Sequence, residues 1–222
     1  GDQCFSAETG ALLMETGYAY KTLVHDGMLI QVDNDGLEFH DLTTGKQISK
    51  APFSFETVQS VRLEAGKLYV LSSRGLFAMD ARTGIQLWRV EERYMGGFEV
   101  AGGRVYSALG TVYDAGTGTK LFATEGRGIL ALAGDRIIYA NGLAADRETG
   151  KTVIKYAWPS SLGSRDTLGT PIVQGDTVYF GARAAFRVAN GSMIWAKTGN
   201  GGQAMFRDGR LYSWDSPGLS VY

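Results

Sequence analysis

The chain has 222 residues, 22 lysines and arginines against 23 aspartates and glutamates, and a formal net charge of −1. That near-neutral balance, with no basic block, excludes broad binding to a nucleic-acid backbone, and no apolar run reaches the ~20 residues a membrane helix needs. Thirty-one glycines, spread at turn positions, exclude a helical protein and are not low complexity.

In chain order, residues 1–16 read as the last hairpin of a sheet, with strands at 4–6 and 11–15 around a turn ending at Gly10. Full four-stranded units follow at about 18–50, 57–90, 95–125, 127–158 and 168–198. Strands at 203–206, 210–214 and 219–222 end the chain. The last strands and the first hairpin are expected to share one sheet, with one surplus: 4–6 and 219–222 both read as third strands. The second unit shows the pattern best. Strands at 76–80 and 85–90 flank Asp80-Ala81-Arg82-Thr83-Gly84. Asp80 suits the backbone amides two residues on, and Gly84 suits the left-handed end of the turn.

The turn recurs on glycines 10, 45, 84, 118, 150 and 191, which are 32 to 41 residues apart. A second turn alternates with it, at Asp26-Gly27, Ala65-Gly66, Gly102-Gly103, Gly134-Asp135, Gly175-Asp176 and Asp208-Gly209. Two hairpins per period make a four-stranded blade, and a period of this size predicts a β-propeller. The fold class is therefore all-β: a propeller of about six four-stranded blades, one domain over 1–222, its ring closed by the terminal strands in a shared blade. Glycines that open the inner strands (Gly96, Gly97, Gly126, Gly128, Gly169, Gly201, Gly202) are expected to mark crowding near the axis.

Parity places both turn types at one end of the strands. The loops joining second to third strands, and blade to blade, share the other end and vary more. Loops on a rigid scaffold carry function, and exposed Trp, Tyr and Arg suit an interface. The candidate binding residues there are Arg74, Glu91, Arg93, Tyr94, Trp158, Arg165, Arg183 and Trp214. Asp80, Gly84, Trp88, Gly118, Gly150 and Trp195 are read as turn and docking residues.

The pattern Ala-x-Asp-x-x-Thr-Gly-x-x-Leu-Trp at 78–88 resembles the blade signature of propellers related to pyrroloquinoline-quinone enzymes. The resemblance implies that Trp88 docks onto a neighbouring blade. Met14, Ser49, Phe122, Ile154 and Trp195 hold the equivalent position elsewhere. Relatives that bind the quinone have larger propellers, adjacent cysteines, a stacking tryptophan and a carboxylate-held metal. This chain has one cysteine, so no cofactor is expected. The nearest analogue in the family is the propeller lipoprotein of the bacterial outer-membrane β-barrel assembly machine, which has more blades and binds its partner through one face. The resemblance implies a periplasmic or otherwise exported protein; no secretory leader is visible, which fits a mature exported protein or a cytosolic one.

Chemistry outside this pattern is sparse. His25 and His40 lack metal-ligand spacing, and no nucleophile elbow or phosphate loop occurs. Asp33-Asn34-Asp35-Gly36 reads as a polar turn without the spacing or distal glutamate of a calcium loop. Cys4 reads as a buried strand residue. Two functions follow. One is a non-enzymatic scaffold, a monomer with a protein partner, no nucleic acid and no membrane span; an immunity protein would be another binder of this type. The other is a carbohydrate- or small-molecule-binding propeller, hydrolase- or lyase-like, drawing on Glu91, Glu92, Tyr94, Arg165 and Asp166 with Arg74 or Arg183 as anion anchors.

Overall fold

The computed structural model describes residues 3–5, 9, 11–15, 19–92, 96–160, 170–197, 203–215 and 218–221. Those residues carry strands, turns and no α-helix. They divide into two compact units, residues 1–95 with Ala115–Gly118, and Gly96–Asp114 with Thr119–Tyr222.

In the first unit, β1 (Gln3–Phe5) and β2 (Leu12–Glu15) form a two-stranded sheet. Two four-stranded antiparallel sheets follow: β3 (Lys21–His25), β4 (Met28–Asp33), β5 (Gly36–Asp41) and β6 (Gln47–Pro52), then β7 (Val58–Glu64), β8 (Lys67–Ser72), β9 (Gly75–Asp80) and β10 (Gln86–Val90). The second unit holds three more such sheets. They are β11 (Phe98–Ala101), β12 (Arg104–Ser107), β13 (Thr111–Asp114) and β14 (Lys120–Ala123); β15 (Leu130–Ala133), β16 (Arg136–Tyr139), β17 (Leu143–Asp146) and β18 (Thr152–Lys155); and β19 (Pro171–Gln174), β20 (Thr177–Phe180), β21 (Ala184–Arg187) and β22 (Met193–Ala196). A three-stranded sheet of β23 (Gln203–Arg207), β24 (Arg210–Asp215) and β25 (Gly218–Val221) ends the chain. Both expected third strands are thus paired, β1 with β2 and β25 with β24.

The hairpin between third and fourth strands explains the repeat. In the second sheet the Asp80 amide donates to the Ile85 carbonyl at 2.8 Å and the Gly84 amide to the Asp80 carbonyl at 2.9 Å. The turn thus holds more residues than a two-residue hairpin, and the register slips between Gln86 and Trp88 as a bulge. The same slip falls beside the turn in all five four-stranded sheets. Asp80 Oδ1 accepts from the Arg82 amide at 3.0 Å, the Thr83 amide at 2.8 Å and the Thr83 hydroxyl at 2.8 Å. Asp41 and Asp146 make the same set with Thr43 and Thr44, and with Glu148 and Thr149.

Period-2 alternation sorts the core, because the second and third strands of the four-stranded sheets, such as β4, β8, β9 and β16, bury side chains on both faces. In the second sheet Leu68, Val70, Phe77 and Met79 point one way, into a cluster with Ile30, Val32, Leu37 and Phe39 of the first. Tyr69, Ala78 and Trp88 form a cross-strand row on the other face. In the second unit the same rule splits β16: Ile137 and Tyr139 pack with Tyr106 and Val112, while Ile138 packs with Val178, Phe180 and Phe186.

The inner-strand glycines do not share one cause. A Cβ on Gly126 would stand 1.9 Å from the Tyr139 ring, so this glycine makes room for a tyrosine. A Cβ on Gly97 would meet nothing within 4 Å, and Gly96 and Gly97 instead take positive φ, 67° and 142°. Gly169, Gly201 and Gly202 lie outside the described residues.

Candidate protein-binding surface

Hydrogen bonds between turns fix which loops share an end. The Leu42 amide donates to Gly27, Ala81 to Gly66, Arg147 to Asp135 and Val188 to Asp176, at 2.8–3.0 Å. In these four sheets the two turn types therefore lie together. At the other end the second-to-third-strand loop is tied to the segments entering and leaving its sheet. Phe53 N donates to Asp35 O, Ser73 N to Thr57 O, Ala108 N to Gly97 O, Tyr156 N to Gly142 O and Lys197 N to Arg183 O, at 2.9–3.0 Å. These loops are held by their backbones, so their side chains project from fixed positions.

In the first unit this end gathers a charged cluster. Arg74 Nη1 donates to the Ser54 carbonyl at 3.2 Å, and its Nε lies 3.7 Å from Glu56. The Ser73 hydroxyl donates to the other Glu56 oxygen at 3.1 Å. Arg89 Nη2 donates to the Arg74 carbonyl at 3.0 Å, sits 3.3 Å from Glu91, and lies over the Phe77 ring at 5.3 Å. Arg89 thus joins Arg74 and Glu91, two residues the sequence singled out separately. Glu56 has φ 64°, a left-handed conformation uncommon outside glycine, held here by Arg74 and Ser73. Sequence reading missed Glu56 and Arg89; the alternation that buries Trp88 does put Arg89 on the opposite face.

In the second unit Arg183 lies over the Trp158 ring at 5.8 Å. Trp158 sits 6.3 Å from both Phe180 and Phe186, and Tyr156 packs beneath at 5.4 and 5.3 Å from the same rings. The Trp158 indole N–H is buried without an acceptor among the described residues. Burial pushes the Tyr156 phenol up to about 12, against a smaller opposing pull from Arg136. Nearby, Arg127 Nη1 donates to the Thr124 and Gly126 carbonyls at 2.9 and 2.6 Å, and the Thr124 hydroxyl bonds the buried Tyr139 hydroxyl at 3.0 Å. Arg93, Tyr94, Arg165 and Asp166 lie outside the described residues; Trp214 is placed only as a β24 position opposite Gln203 and Leu219.

The remaining singled-out residues sit in the scaffold. Trp88 is 8% exposed, 5.9 Å from Tyr69, and its Nε1 donates to the Ala115 carbonyl at 3.1 Å. A Cβ on Gly118 would stand 2.8 Å from the Trp88 indole, one on Gly150 2.5 Å from Phe122, and one on Gly191 2.5 Å from Ile154. Gly84 faces Phe39 and Ala51 instead of Ser49, which is exposed. Trp195 lies 6.4 Å from Tyr179 and lines an apolar cavity of about 460 Å3 with Phe206 and Leu211. Asp33 Oδ1 accepts from the Asp35 amide at 2.8 Å and Asn34 Oδ1 from Val58 at 2.9 Å, so this loop spends its oxygens on backbone. Among the described residues no three His, Cys, Asp or Glu side chains are arranged to hold a metal.

Comparison with known proteins agrees with this architecture. The profile of the family described as outer membrane protein assembly factor BamB matches residues 3–219. No curated protein matches the sequence. BamB from Moraxella catarrhalis superposes with a TM-score of 0.67 at 20% identity, over 99% of this chain and 74% of that one. Kluyveromyces lactis Hsv2 superposes at 0.59 and 15% identity, over 88% and 70%, and the computationally designed Ika8 protein at 0.55 and 14%, over 99% and 89%. The chain is a β-propeller of about six blades, and it belongs to the pyrroloquinoline-quinone-like propeller family of the outer membrane protein assembly factor BamB.

Proposed function

We propose that this protein is a non-enzymatic scaffold of the cell envelope, working in the periplasm and binding a protein partner through its variable loops. What carries the reading is Arg183 lying over the Trp158 ring, an Arg–Trp pair on segments that backbone bonds tie at Arg183 and at Tyr156. The Arg74–Glu56–Arg89–Glu91 cluster offers, in the first unit, charged groups of fixed geometry that suit a polar rim. Membership of the BamB family supports an envelope location and a protein partner.

The test is site-directed photocrosslinking in a Gram-negative periplasm. A photoreactive residue at 183 or at 74 is expected to trap a discrete protein partner. The same residue at Ile85, exposed on the turn end, is expected to trap none. Equal labelling at all three positions, or no adduct at 183 and 74, would sink the reading.

A further inference from the structure

The turn end of the second unit holds a site the variable loops do not touch. Where the β15–β18 and β19–β22 sheets meet, a cavity of about 590 Å3 is lined by Leu132, Val173 and Val188, and by Asp135, Arg136, Asp176 and Ala189. One junction earlier, between β11–β14 and β15–β18, the same positions are filled. Arg104, the first residue of β12, donates Nη1 to the Arg147 carbonyl at 2.7 Å and Nη2 to the Glu148 carboxylate at 2.6 Å. Arg136, the first residue of β16, is its counterpart. The residue facing it by repeat position, two beyond Arg187 as Glu148 is two beyond Asp146, is Ala189. The lock is repeated and its carboxylate key is missing.

The charges around Arg136 leave it able to take one. Its own neighbour Asp135 pairs with Arg136 Nε at 3.5 Å, but at 79% exposed that carboxylate is screened by water, and a carboxylate entering the cavity would compete with it for Arg136. Asp176 is committed elsewhere: Oδ1 accepts from the Ala189 amide at 3.0 Å and Oδ2 lies 3.9 Å from Arg187. The Arg136 side chain is only 20% exposed, so a carboxylate reaching it leaves bulk water and gains a partly desolvated, charge-assisted contact.

We propose that this cavity receives the carboxylate of an acidic side chain on a partner protein, with Arg136 acting as Arg104 acts toward Glu148 and Leu132, Val173 and Val188 covering the methylenes. The proposal shares with the scaffold reading only the premise that the chain binds protein, and its test needs no partner and no variable loop.

The probe is N-acetyl-glutamate N-methylamide, with the glutamine analogue as control, followed by NMR through the Arg136 side-chain N–H and the Val188 methyl signals. Saturable shifts are expected with the glutamate probe, and binding at least tenfold weaker for the glutamine analogue and for Arg136→Gln. Ala189→Glu supplies the missing carboxylate in cis and is expected to abolish probe binding while raising the melting temperature. Arg136→Gln alone serves if Ala189→Glu fails to fold. No saturable shift at tens of millimolar probe, equal binding of the two probes, or undiminished binding in folded Ala189→Glu would overturn the proposal, whatever crosslinking at 183 reports.

Discussion

The indole of Trp88 lies flat against Gly118, 2.8 Å from where a Cβ would stand, while its Nε1 bonds the Ala115 carbonyl at the start of the same turn. Tyr69 donates to that carbonyl as well, at 3.1 Å. One tryptophan therefore both packs and ties the turn of the next hairpin. Trp88→Ala should cost roughly 3–5 kcal/mol, as deletion of a buried aromatic does. Gly118→Ala should cost about 1–3 kcal/mol, from positive φ (72°) and from the collision with the ring. Because removing the ring removes the collision, the double mutant should be less destabilised than the sum of the singles. Urea denaturation of all three variants measures this; strict additivity would mean that the two residues do not touch.

Much of this was legible in the sequence, and what was not can be traced to particular rows of residues. Across the second sheet the row is Tyr69, Ala78, Trp88, with a small centre and a large outer residue. Tyr179, Ala185, Trp195 and Ile138, Ala144, Ile154 repeat it. In the first sheet the row is Ile30, Phe39, Ser49. The bulk has moved one strand inward, and Phe39 meets Gly84 in place of the outer residue. Alignment on the turn glycine reads one strand at a time and sees only that Ser49 is small. The volume is conserved across the row, not at the position. The candidate surface was harder to read for a related reason. Arg74 and Glu91 are linked through Arg89, and Glu56 pairs with Arg74; neither Arg89 nor Glu56 belongs to a motif, and these contacts form only when loop and strand ends meet.

The turn aspartates make the protein acid-sensitive in a predictable direction. The Thr83 hydroxyl, then the Thr83 and Arg82 amides, hold the Asp80 carboxyl below the usual range. The Thr44 amide and hydroxyl do the same for Asp41, and the Thr149 hydroxyl and amide for Asp146. A folded pKa below the unfolded one contributes stability that is present above the unfolded value, near 4, and is lost as pH falls through the folded value. Solvent screens all three groups, so the effect is read as a slope. Melting temperature should drop as pH falls below about 4. The triple variant Asp41→Asn, Asp80→Asn, Asp146→Asn should start lower at neutral pH and show a shallower acid limb. An unchanged limb would remove these carboxylates from the account.

The fifth four-stranded sheet lacks the turn aspartate and borrows one. Arg187 stands where Asp80 and Asp146 stand, and the Ala189 amide is satisfied by Asp176 from the adjacent turn at 3.0 Å. Asp176→Ala should cost about 1 kcal/mol, the usual loss for a hydrogen bond to a carboxylate at a partly solvated site. Adding Arg187→Asp restores the local carboxylate of the other sheets and should recover most of that loss. Chemical denaturation of the single and double variants decides it: a double mutant weaker than Asp176→Ala alone would show that the two turns are not interchangeable.

At alkaline pH the sensitive group is Tyr156. It is 1% exposed, packed on Phe180 and Phe186, and burial raises its phenol to about 12. The unfolded chain ionises tyrosine near 10. A raised folded value keeps Tyr156 neutral in the native state while the unfolded state loses its proton. The stability this neutral phenol contributes is therefore whole below about pH 10 and falls as pH rises toward the folded value. Tyr139 is shifted the same way by burial, offset in part by the Thr124 hydroxyl, and adds to the same limb. Absorbance at the phenolate band should show a late-titrating fraction in the native protein that is smaller in Tyr156→Phe. The melting temperature of Tyr156→Phe should fall less steeply than that of the parent above pH 10. Parallel alkaline limbs would mean that Tyr156 ionises as freely in the folded protein as in the unfolded chain.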